Sequence, residues 1–131
     1  MPTTHVVSQG LAEELMEAGW PQEKSTFYRK QDSEGGEPYI VAGNSRYMAS
    51  AGFVLAAPLA SELLERMPPY FIRSGHLYTL IVLPKEPAGG YCARYIRNRF
   101  NTHMGGFGHA KTLPDALAKL WLHLKKEGLL K

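Results

Sequence analysis

Apolar positions along the chain fall into three stretches with helical spacing and six with strand spacing. From about Ser8, Leu11, Leu15 and Ala18 share one helical face, and Gly19-Trp20-Pro21 closes the stretch, which predicts a short amphipathic helix. Pro58 suits a first helical turn; Leu59, Leu63, Leu64 and Met67 continue that helix until Pro68 and Pro69 stop it. A third begins at Thr112, with Asp115 three residues on as the acidic variant of a capping box. Leu113, Ala116, Leu117, Leu120, Trp121 and Leu124 then recur at helical spacing. Lys125 and Lys126 complement the helix dipole in its last turn, and Gly128 stands at the C′ position.

The strand-like runs lie at 25–30, 38–43, 52–57, 70–75, 76–84 and 91–96. Glycine- and proline-containing connections, "DSEGGEP" and "KEPAGG", predict hairpins and an antiparallel meander. In "LYTLIVL" both alternating sets are apolar, Leu77, Ile81 and Leu83 against Tyr78, Leu80 and Val82, which predicts burial from both sides. The fold class expected is therefore α+β, an antiparallel β-sheet meander with helices packed on both faces in an α/β/α sandwich-like arrangement. No repeat or linker divides the chain, so residues 1–131 form a single domain.

Composition adds little until it is divided along the chain. No apolar run is long enough to span a bilayer, which argues against a membrane partner. The opening "MPTTHVVSQG" lacks the features of a secretory signal and Cys92 is the only cysteine, so a cytoplasmic location is expected. Net charge is +3, distributed unevenly: residues 1–90 hold 7 Lys+Arg against 10 Asp+Glu, net −3, and residues 91–131 hold 8 against 2, net +6. Such a basic C-terminal third attracts an acidic protein partner or a nucleic acid.

Candidate chemistry concentrates in residues 91–112. Tyr91, Arg94, Tyr95, Arg97, Arg99, Phe100, His103, His109 and Lys111 are the expected binding residues, because arginine beside an aromatic ring suits both base stacking and protein hot spots. If 91–97 is a strand, Tyr91, Ala93, Tyr95 and Arg97 share one face and Cys92, Arg94 and Ile96 the other. Arginine on both faces places that strand at or near a sheet edge, running into a loop whose glycines supply flexibility. Cys92, His103 and His109, with His76 or His123, lack the compact spacing of a zinc site, so no metal is expected. The chain contains no nucleophile elbow, zincin motif or phosphate-binding loop, and no catalytic residue or cofactor is assigned; a Cys92–histidine nucleophile pair stays open.

"APLASELLERMP" (57–68), "GGYCARYI" (89–96) and "KTLPDALAKLWLHLKKEGLL" (111–130) together resemble the small phage and prophage proteins of unknown function that fold as an α/β/α sandwich. That resemblance covers roughly the last 75 residues. It implies a mobile-element origin and a non-enzymatic binding role, such as an inhibitor or modifier of a host protein. Pro69 and Tyr70, Gly75 and His76, and "GFGHAK" (106–111) are also similar to landmarks of double-stranded RNA-binding domains. The chain departs from that family where its lysine cluster should open the last helix. Only Lys111 is basic there, and Asp115 would repel phosphates. RNA binding is therefore the second expectation, and a small enzyme the third.

Overall fold

The computed structural model describes residues 5–23, 25–33, 35–43, 52–84, 89–97, 102–103 and 108–130; for residues 52–53 and 102–103 the backbone alone is considered. Helices α1 (Gln9–Glu17), α2 (Ala60–Glu65) and α3 (Leu113–Lys126) occupy the three predicted stretches. In chain order the strands are β1 (Phe27–Asp32), β2 (Gly35–Ala42), β3 (Gly52–Ala56), β4 (Tyr70–Arg73), β5 (His76–Pro84), β6 (Tyr91–Arg97), β7 (Thr102–His103) and β8 (Gly108–Ala110). The α+β class is as expected, but the strands form two antiparallel sheets rather than one. The first has the order β2-β1-β3. In the second, β4-β5-β6 continues into β7, and β8 pairs with β6 as well.

Both longer helices stop by the same device. After α1, Gly19 takes a positive φ of 101°, its N–H donates to Met16 O, and the N–H of Trp20 donates to Leu15 O at 2.8 Å. After α3, Gly128 (φ 75°) donates to Lys125 O and Leu129 to Leu124 O at 2.9 Å. These paired bonds satisfy the last helical carbonyls, and only glycine adopts the left-handed conformation without strain. The turn also aims Trp20 inward, where its ring meets Trp121 edge-on at 5.2 Å. Leu117, Leu120, Trp121 and Leu124 are buried, as the helical spacing predicts, in one core with Leu15, Leu55, Leu63 and Tyr95. Helix α2 is shorter than expected. It starts after Leu59, whose N–H donates to Glu62 Oε1 at 3.0 Å, and ends before Met67; Leu64, expected on its apolar face, is exposed.

A polar clasp ties the N-terminal segment to this core. Val6 forms an isolated bridge with Leu59, and Val7 N–H donates to Pro58 O. The Val7 carbonyl accepts both Nε and Nη2 of Arg29 at 3.0 Å. The N–H of Ser8 donates to Asp115 Oδ1 at 2.7 Å, so a carboxylate from α3 accepts the N-cap N–H of α1, the bond that an N3 glutamate would make in a capping box, while the Ser8 side chain itself makes no capping bond. Burial lowers the Arg29 pKa from its ordinary value, and the opposing charge of Asp115 offsets part of that shift.

Two expectations about the larger sheet need correction. Strand β6 is interior rather than at an edge: β5 pairs along one side, β7 and β8 along the other. Strands β7 and β8, which follow β6 in the chain, thus return to the sheet. Gly108 is buried on β8 where a Cβ would stand 1.8 Å from Ala116 O, so its role is to let β8 press against α3. The second correction concerns "LYTLIVL". Phe71, Tyr78, Leu80, Val82, Ala93 and Tyr95 form the face that packs into the core. The other face leaves Tyr70, Ile72, Leu77 and Leu83 exposed at 60%, 71%, 44% and 43%, so no helix among the described residues covers them.

Candidate functional site

The strand pleat and the return of β8 distribute the predicted binding residues over different surfaces. Tyr95 is a correction: it is buried, and its hydroxyl donates to Pro68 O at 2.6 Å. Its ring lies 4.8 Å from that of Phe71, and burial pushes its phenol well above the usual tyrosine range. It is a core residue with one satisfied polar group. Arg97 lies half-buried on the same inward face at the far end of β6, already engaged within the chain. Arg99 and Phe100 fall outside the described residues, and His103 is placed only by its backbone, opposite Ile96.

Arg94 emerges on the outward face of β6. Its cross-strand neighbour is Ile81, with Leu83 opposite Cys92 and Thr79 opposite Ile96. On β4, Tyr70 pairs with Thr79 and Ile72 with Leu77, so the same face runs across three strands to the sheet margin. Cys92 is buried directly opposite His109 of β8, the placement that sequence spacing could not supply. Among the described residues this face carries no carboxylate, and Arg94 is its one permanently charged side chain. The Nε of Arg94 is buried and meets no hydrogen-bond partner among the described residues. An apolar surface with a partly desolvated guanidinium is arranged to receive an anionic group delivered with apolar surroundings.

Tyr91 and Lys111 belong elsewhere. They line a cavity of about 550 Å³ together with His5, the first residues of α2, and Thr112, Leu113 and Pro114 at the start of α3. His5, Leu59 and Ser61 were missed by sequence reasoning, because nothing in their spacing shows that the N-terminal segment bridges to α2. Two further cations are used internally: Lys119 Nζ donates to His109 O at 2.8 Å, and Lys125 Nζ lies 5.9 Å above the Trp121 ring.

Among the described residues no three His, Cys, Asp or Glu side chains converge as metal ligands would, and no helix is long and apolar enough to cross a membrane. No family model, no curated protein and no solved structure matches the chain.

Proposed function

We propose that this chain is a non-enzymatic binding module that engages an acidic protein partner through the outward face of its larger sheet. The observation that carries this reading is the exposure of Tyr70, Ile72, Leu77 and Leu83 on one face around Arg94. Burying such apolar area on association is favourable at roughly 25 cal/mol per Å² before association entropy is subtracted. A carboxylate from the partner would pair with Arg94 in the desolvated centre, where a charged pair confers orientation and specificity. The resemblance to phage and prophage proteins fits such a role, with inhibition or modification of a host protein as its form. A nucleic acid is the second reading, supported by the +6 charge of residues 91–131, although Arg94, Lys111, Lys119 and Lys125 do not share one surface.

The test is affinity capture with wild type and an Ile72→Asp/Leu77→Asp variant, each with and without nuclease. Both side chains are exposed, so the variant should keep its urea midpoint to within the equivalent of about 1 kcal/mol. A protein captured by wild type after nuclease treatment and lost by the folded variant is the expected result. Loss of all capture on nuclease treatment would transfer the assignment to nucleic acid, and equal capture by the variant would remove this face from consideration.

A further inference from the structure

We propose that the cavity between the N-terminal segment, α2 and α3 is a binding site for a small amphipathic carboxylate, an aliphatic or aromatic acid with one anionic group. The cavity measures about 550 Å³, within the range of roughly 300–1,000 Å³ usual for small-molecule sites. Leu59, Ala60, Tyr91, Leu113 and Pro114 give it an apolar lining suited to a hydrocarbon or ring body. His5, Ser61, Lys111 and Thr112 supply the polar part. Among the described residues, the one permanent charge in this lining is therefore the single ammonium of Lys111.

The neighbouring carboxylates are held in protein contacts. Asp115 Oδ1 accepts from Ser8 N–H at 2.7 Å, while Glu62 Oε1 accepts from Leu59 N–H at 3.0 Å. Neither residue is part of the cavity lining, so among the described residues that line it no carboxylate stands opposite Lys111. Thr112 Oγ1 accepts from Asp115 N–H, which leaves its own hydroxyl proton to donate. One ammonium and neighbouring hydroxyls match a monoanion better than a phosphate dianion, which calls for more donors or a guanidinium fork.

The walls are also fixed in advance. The bridge between Val6 and Leu59 and the bond from Val7 N–H to Pro58 O hold the His5 segment to α2. Tyr91 pairs with Ala110 across β6 and β8, and at Gly90 (φ 92°) a Cβ would stand 2.6 Å from Ala110 O. Glycine thus permits the approach that sets the Tyr91 wall beside Lys111. A site built before the ligand arrives avoids much of the ordering cost of binding. This site is separate from the outward sheet face, so the two proposals can fail independently.

The experiment is a titration of the ¹⁵N-labelled chain with octanoate, octanamide and inorganic phosphate at neutral pH, followed by amide chemical shifts. Octanoate should bind saturably and shift Ala60, Tyr91, Lys111 and Leu113, with octanamide about tenfold weaker. Lys111→Gln keeps much of the stem and should bring octanoate to the affinity of the amide, with octanamide unchanged. Ser61→Trp, at an exposed position of α2, should obstruct the cavity and weaken both. Equal binding of octanamide and octanoate, equal binding of phosphate, shifts centred on Ile72 and Leu77, or undiminished octanoate binding to folded Ser61→Trp would each overturn the proposal.

Discussion

Tyr95 and Gly108 show what one position contributes that its residue type does not announce. A tyrosine in a basic, aromatic segment reads as a contact residue. Alternation along β6 instead turns Tyr95 inward with Ala93, and its hydroxyl finds the Pro68 carbonyl. Tyr95→Phe should lower stability by about 1 kcal/mol at neutral pH, the usual contribution of one such bond, as measured by urea unfolding. The same substitution should change the alkaline limb. Because burial raises the folded-state pKa above the ordinary value of 10.0, the unfolded chain releases the Tyr95 proton first as pH rises. Its stabilising contribution is therefore complete below about pH 10 and declines as pH climbs toward the folded value. The gap between wild type and Tyr95→Phe should narrow there, and a gap that widened would contradict the burial. Gly108 was legible only as a glycine. Its sequence neighbours suggest a flexible loop, whereas the residue is required by the closeness of Ala116 on a helix that the strand signal alone cannot place.

At the scale of elements, the helices were readable because their stop signals are local. Gly19 and Gly128 each close a paired hydrogen-bond motif, and the 3.6-residue period of α3 identifies the side that enters the core. Trp121 joins α3 to the end of α1 through the ring of Trp20. Trp121→Ala should cost about 3–5 kcal/mol in urea denaturation, and a loss below about 1 kcal/mol would mean that the ring does not fill the core. Strands β7 and β8 were not readable. Two and three residues are too few to show a period, and their partners lie in β6, beyond a segment that looks like a turn. The double-sided apolar pattern of β5 misled for a different reason. Alternation reports that both faces are apolar, but it cannot distinguish a face covered by a helix from one left for a partner.

For the whole molecule, the charge difference between the two parts of the chain was visible in the sequence, but the placement of the cations was not. The last third puts Arg94 on the sheet, Lys111 at a cavity and Lys125 over a tryptophan, because strand, turn and helix direct neighbouring residues to different surfaces. The candidate site was accordingly legible in part: Arg94 belongs to the outward face, while the exposed apolar residues beside it come from β4 and β5. Contacts between distant segments also account for the clasp. Asp115→Ala would remove the acceptor for Ser8 N–H and the charge opposite Arg29, and should destabilise by about 2–3 kcal/mol. Hydrogen exchange would locate the change, with faster exchange at Ser8; unaltered exchange there would argue against the clasp. Ser8 and Asp115 are separated by 107 positions, which sets an order of events during translation. Val6 and Val7 can meet Arg29, Pro58 and Leu59 once those residues have emerged, but the Ser8 N–H finds its acceptor only after Asp115 has been synthesised. A nascent chain must therefore carry the start of α1 with that N–H still unpaired, and Val7 and Leu15 without the cover of α3, while the residues between α2 and α3 are being added, so premature association of that apolar side is a hazard the finished molecule no longer faces.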